Sequence, residues 1–215
     1  MSTSPRSTLR FADTHRGRAL GLLVAAAMSL AAPAGAQEEG RDRGFYLGLR
    51  FAASGLGVDD DGASGFFVKD DGGGVQLFTG YSFNPVFSLQ LELGVAGHET
   101  SVQAIDAAFG SVALLAHYRF APGRDFRPYI KGGLGGYGLV LTDNQAEVRI
   151  EGGGVPIGGG FDFFFSRHFS LGVDFTYNII TYNKVTVDLG EFTAGFDIDE
   201  DGAQSSLGLA LAYYF

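Results

Sequence analysis

From Gly44 to Phe215 the chain alternates large apolar residues with small or polar ones. The cleanest stretch sets Phe87, Leu89, Leu91, Leu93 and Val95 against Ser88, Gln90, Glu92 and Gly94. A period of two marks a strand with two unlike faces. The pattern recurs at Phe45, Leu47, Leu49, Phe51, at Val75, Leu77, Thr79, Tyr81, Phe83, and at Val112, Leu114, Ala116, Tyr118, Phe120. It returns at Ile157 to Phe165, at Phe169 to Tyr177 and at Leu207 to Phe215. The segment Tyr129 to Leu141 is glycine-rich with an ambiguous register, and it brings the predicted strands to eight.

The connections alternate in length. Asn84-Pro85, Ala121 to Arg127 and Ser166-Arg167-His168 are short, whereas Gly55 to Gly73, Gly97 to Gln103, Thr142 to Gly153 and Thr181 to Ala203 are mostly longer and acidic. An up-and-down barrel with short turns at one rim and long loops at the other has this rhythm. The predicted fold is therefore all-β, an eight-stranded antiparallel up-and-down transmembrane β-barrel, with both termini on the short-turn side.

Alternation alone does not say which face looks outward, because a soluble sandwich or a lipocalin-like barrel alternates too. Three features favour lipid. The small face is mainly Gly, Ala and Ser, which suits a tight lumen; the apolar face carries no charge in the strands named; and Phe and Tyr gather toward strand ends, as in an interfacial girdle. Phe87 to Val95 climbs about 19 Å along a membrane normal at ~45° tilt, and girdle residues can complete the ~25 Å apolar band.

Composition adds a compartment. Arg6, Arg10, Arg16 and Arg18 precede the apolar run Ala19 to Ala32, and Ala34-Gly35-Ala36 supplies small residues before Gln37. This reads as a signal peptide over residues 1–36, cleaved after Ala36, ahead of a barrel domain over residues 37–215. Without the leader, 11 basic residues face 23 acidic ones, a net charge of −12. Nucleic acid is thus an unfavourable partner. The absence of cysteine excludes disulfides, lipoprotein-type acylation and thiolate metal sites.

Gly80-Tyr81-Ser82-Phe83-Asn84-Pro85, Pro128-Tyr129-Ile130-Lys131-Gly132-Gly133-Leu134-Gly135 and Leu209-Ala210-Leu211-Ala212-Tyr213-Tyr214-Phe215 resemble the small outer-membrane barrels of the OmpA-like and OmpW-like type. The resemblance implies a monomer in the bacterial outer membrane, among lipid and lipopolysaccharide. It also implies that Leu209, Leu211, Tyr213 and Phe215 form the signal that the barrel-assembly machinery recognises. The group includes structural proteins, adhesins, narrow pores and a few enzymes, so it bears on architecture more than on task.

Candidate chemistry falls in four places. Arg50, Gln90, Glu92, His117, Arg119, Lys131, Asp162, Asp174 and Asn178 share the small-residue face, so a lumen network of both signs is expected. It could pack a barrel too narrow to conduct, or line a gated narrow pore for ions or small solutes, hydrophobic ones among them. Asp197, Asp199 and Asp201 before Gly202 resemble the opening of a calcium loop, but position twelve is Gly208 where such a loop needs Glu, leaving at most a weak divalent-ion site. Gly133-Leu134-Gly135-Gly136-Tyr137-Gly138 has dinucleotide-loop spacing with no helix to follow it. His168-Phe169-Ser170 invites comparison with lipid A deacylase barrels, but it sits on the wrong side of the membrane and lacks an acidic orienter. No cofactor and no catalytic set is expected. The reading is a non-enzymatic barrel that serves envelope structure or surface interaction through acidic external loops, with the narrow channel as the alternative.

Overall fold

A computed structural model describes residues 43–58, 68–100, 106–142, 147–188 and 193–215. The leader and the expected cleavage site lie outside these residues, as do Asp59, Asp60 and Asp61. Eight strands form one closed antiparallel barrel in sequence order, β8 returning to β1. They are β1 (Gly44–Val58), β2 (Val68–Ser82), β3 (Phe87–Thr100), β4 (Asp106–Arg119), β5 (Phe126–Thr142), β6 (Glu147–Phe164), β7 (Phe169–Asp188) and β8 (Thr193–Tyr214). Closure leaves no strand edge within the apolar band, the condition for crossing lipid with strands.

Local chemistry builds the short turns. The Asn84 carboxamide accepts from the backbone N–H groups of Val86 and Phe87 at 2.9 and 2.8 Å, and the Ser166 hydroxyl accepts from those of His168 and Phe169. Such side chains stand in for a missing ladder partner. Ala121, at φ +53°, and Gly123, at φ +79°, are the left-handed residues of the β4–β5 turn, the second at no steric cost.

Two faces separate cleanly. Phe45, Phe51, Leu91, Leu114, Ile130, Leu171, Leu209 and their alternates point outward and are exposed, which in water would be a severe liability and in lipid is the requirement. Outward aromatics concentrate at the short-turn rim: Phe83 with Phe87, Tyr118 with Phe120, Phe165 with Phe169, and Tyr213 with Phe215 lie within 6.0 Å ring to ring. The opposite rim on β1 to β6 is instead small, at Ala53, Gly73, Gly97, Gly110 and Gly153. The girdle is therefore one-sided there.

The external connections are corrected by the structure. Much of Thr142 to Gly153 and Thr181 to Ala203, expected as loop, is strand: β6 to β8 run 18, 20 and 22 residues against 14 or 15 for β1 to β4. Above the bilayer the outer face meets water in place of lipid, so the lipid-facing half of the alternation stops while the hydrogen-bond ladder continues. Within the barrel, β6 is nearly bare on its inner face. A Cβ at Gly154 would sit 2.1 Å from the Ile179 carbonyl oxygen, so β6 can approach β7 only through glycine. Between β5 and β6 the pairing skips from Gly132–Ile157 to Gly135–Gly154, beside Pro156, which has no N–H to donate.

Candidate functional site

Every residue expected in the lumen network points inward. Arg50, Gln90, Glu92, His117, Arg119, Lys131, Asp174 and Asn178 are buried, and the Asp162 side chain is 14% exposed. They are brought together at three levels.

The middle level is a square of alternating charge. Arg50 on β1 reaches Glu92 on β3 at 3.1 Å and Asp174 on β7 at 3.2 Å; Lys131 on β5 reaches the same two carboxylates at 3.2 and 2.9 Å. Four strands that are not all neighbours are thus tied across the barrel. Further donors fill the remaining lone pairs: the Tyr129 hydroxyl donates to Asp174 at 2.6 Å, Thr176 to Asp174 at 2.9 Å, and Gln90 to Glu92 at 2.6 Å. Arg50 also donates to Gln76 at 2.6 Å. Two cations and two anions cancel, which is the arrangement a confined lumen tolerates. Gly160 makes the room, since a Cβ there would meet the Tyr129 hydroxyl at 2.9 Å and the Val173 carbonyl at 2.0 Å.

Below it, at the short-turn rim, lies an aromatic floor of Tyr46, Phe78, Phe164 and Tyr214, closed by Ala210 and Ala212. Tyr46 stacks on Tyr214 at 5.1 Å, Arg127 lies over Phe164 at 4.4 Å and Arg119 over Tyr46 at 5.5 Å. Arg119 also faces Asp162 at 3.9 Å and donates to Ser82. His117 stacks on Tyr129 at 5.2 Å between the two levels. The ion pairs of the expected network therefore fall into two groups, the square and the Arg119–Asp162 contact.

Above the square a polar layer links Tyr137 to Asn178, Asn178 to Gln204 and Gln204 to Ser54. It is capped by Leu56, Phe109, Leu139, Ile150 and Ile180, with Leu141, Val148, Tyr182, Val185 and Ile198 packed on them. Sequence reasoning missed this apolar cap and the floor. The available signal was apolar residues at both parities, as in Ile179-Ile180 and Leu139-Val140-Leu141, and aromatic runs such as Phe163-Phe164-Phe165. In each run at least one member must turn inward. A cavity of about 20 Å³ beside Ser54, Gln76, Ser111 and Gln204 has room for about one water.

The remaining candidates separate. Asp197, Asp199 and Asp201 do not form a loop: they lie in β8, exposed, with Asp201 accepting from Thr181 at 3.1 Å. A strand holds alternate residues about 6.5 Å apart and engages their backbone in the ladder, so it does not wrap them round an ion. Among the described residues no three His, Asp or Glu side chains converge as a metal site. Gly133 to Gly138 lie within β5, with no helix after them. His168 and Ser170 part company, since Ser170 is buried in the lumen while the exposed His168 ring hydrogen-bonds the Tyr214 carbonyl at 2.9 Å and stacks on Tyr213. Leu209, Leu211, Tyr213 and Phe215 all face outward in one row.

A closed eight-stranded barrel, greasy outside and charge-paired within, defines an integral outer-membrane barrel protein. No curated protein matches the sequence. A family model described as the outer membrane protein beta-barrel domain matches residues 22–215, and the chain belongs to that family. Its place is therefore the bacterial outer membrane. Solved structures with the same fold include Neisserial surface protein A, 14% identical over 80% of this chain and 97% of that one, at a TM-score of 0.58. Another is the outer membrane protein OprG from Pseudomonas aeruginosa, 18% identical over 82% and 99% of the two chains, at 0.56. The attachment invasion locus protein Ail of Yersinia pestis is 16% identical over 80% and 99%, at 0.53.

Proposed function

We propose that this protein is a non-enzymatic, non-conducting barrel that serves envelope structure and carries an acidic surface outside the cell. The observation that carries the reading is the filled lumen. Ions would have to pass the apolar cap, the paired charges of the square and the aromatic floor in series, so an apolar layer stands at one end of the path and stacked rings at the other. An eight-stranded barrel has an interior about wide enough for its own side chains, and here they occupy it. The surface part rests on the projecting strands, where Glu147, Glu151, Asp188, Asp197, Asp199, Glu200 and Asp201 outnumber Arg149 and Lys184. In this reading the protein is a monomer surrounded by lipid and lipopolysaccharide, and the barrel-assembly machinery reads the outward row that ends in Phe215.

Planar-bilayer recording tests it. The chain refolded without its leader should give no reproducible unitary conductance; discrete steps that scale with protein would overturn the closed-lumen reading in favour of the narrow channel.

A further inference from the structure

The three short turns differ in charge. Residues 83–86, between β2 and β3, carry none, whereas residues 120–125, between β4 and β5, expose Arg124, and residues 165–168, between β6 and β7, expose Arg167 and His168. Asp125 is the one carboxylate on the three turns. The two charged turns are also tied together. The Phe164 backbone N–H donates to the Asp125 carbonyl at 2.8 Å, and the Arg127 side chain, lying over the Phe164 ring at 4.4 Å, donates to the Arg124 carbonyl at 2.7 Å. Arg124 and Arg167 are therefore presented by one joined unit of the rim.

Each arginine stands between outward rings. Arg124 lies in sequence between Phe120 and Phe126, and Arg167 between Phe165 and Phe169, all four rings being exposed. The Phe165 and Phe169 rings stack at 6.0 Å across the turn that carries Arg167. Rings at this rim belong to the interfacial belt, the depth at which lipid headgroups begin. An arginine stem can run along such apolar surface while its guanidinium stays at headgroup level, where it binds phosphate through two parallel N–H···O bonds. At the far rim the outward cations already have carboxylates: Arg149 pairs with Glu147 at 2.8 Å, and Lys184 is in register with Glu151 and Asp197. The rings decide which anion fits the short turns. A soluble anion has no use for them, whereas a phospholipid meets the ring with its acyl chain and the guanidinium with its phosphate.

We infer that the β4–β5 and β6–β7 turns together form a site for anionic phospholipid in the leaflet at the short-turn rim. Arg124 and Arg167 take the phosphates, and Phe120, Phe126, Phe165 and Phe169 take the upper ends of the acyl chains. The β2–β3 turn is the built-in control, because Phe83 and Phe87 stack there at 5.8 Å with no cation beside them. The site is independent of whether the lumen conducts and of the acidic surface outside the cell.

The test uses the refolded barrel in phosphatidylcholine nanodiscs holding a minor fraction of phosphatidylglycerol. A photo-reactive group near the glycerol end of one acyl chain is placed on either lipid, and peptide mapping compares residues 120–126 and 163–169 with residues 83–87. Phosphatidylglycerol should favour the two charged turns over the β2–β3 turn about fivefold more than phosphatidylcholine does, the gain for one arginine at an anionic surface. In R124Q/R167Q the two lipids should distribute alike. The same distribution for both lipids in the unaltered barrel would overturn the site, and so would a preference that survives in R124Q/R167Q. Loss of the preference on adding soluble peptidoglycan fragments would assign the turns to the cell wall and overturn the lipid reading. The comparison of lipids on the unaltered barrel needs no variant to fold.

Discussion

Asp174→Asn perturbs the structure at its most connected point. The carboxylate takes Lys131 at 2.9 Å, Arg50 at 3.2 Å, the Tyr129 hydroxyl at 2.6 Å and Thr176 at 2.9 Å. At about 3 Å and an effective dielectric of about 20, each ion contact is worth about 5 kcal/mol before the cost of desolvating both groups. Asparagine keeps the shape but leaves two buried cations facing Glu92 alone, so the expected loss is about 3–5 kcal/mol. Lys131→Met leaves the opposite imbalance at a similar cost. The double variant removes one charge of each sign and retains Arg50 with Glu92 at 3.1 Å, a neutral pair. It should cost about as much as either single change, giving a coupling of about 3 kcal/mol. Urea titration of barrels folded into short-chain lipid vesicles measures this, read by tyrosine fluorescence and by the mobility of unboiled samples on gels. Additivity to within about 0.5 kcal/mol would refute the square as a coupled unit.

Three further outcomes follow from the geometry. Gly160→Ala should cost about 1–3 kcal/mol in the same titration, whereas Gly73→Ala, whose added Cβ meets nothing within 4 Å, should be neutral or slightly stabilising; equal effects would contradict the close approach of β6 to β7. Chelation by EDTA, or calcium at about ten micromolar, should leave the thermal midpoint unmoved, since carboxylates held in a strand do not form a cage; a rise of several degrees would point to a tight site that the strand placement excludes. Deleting Phe215 removes one backbone bond to Phe45 and one ring contact with Tyr213, so refolding in vitro should be nearly intact while membrane yield in cells falls; normal yield would show the terminal aromatic dispensable.

What was legible in the sequence follows from where the chain sits. Inside the bilayer every strand separates lipid from lumen, so Phe87 to Val95 declares both its period and its faces, and Arg50, Glu92, Lys131 and Asp174 could be placed together by parity alone. Outside it the same backbone ladder continues without a lipid-facing side. Asp197, Asp199 and Asp201 then carry the composition of a loop although they are strand, and composition is all that a sequence displays there. The apolar cap and aromatic floor were hidden for the opposite reason: Ile180 and Phe164 point inward where small or polar residues were expected, and a lone apolar side chain on that face does not break the alternation enough to announce itself. Their position has a physical logic. A charge square alone is a relay that water and ions could hydrate, whereas an apolar layer on one side and stacked rings on the other deprive it of the water that would let it exchange partners. On this argument the ends of the lumen, more than its charges, keep the barrel shut, so the single and double variants of Asp174 and Lys131 should lose stability and still fail to conduct. Conductance from the neutral double variant with the cap and floor intact would sink the argument and return the seal to the charges.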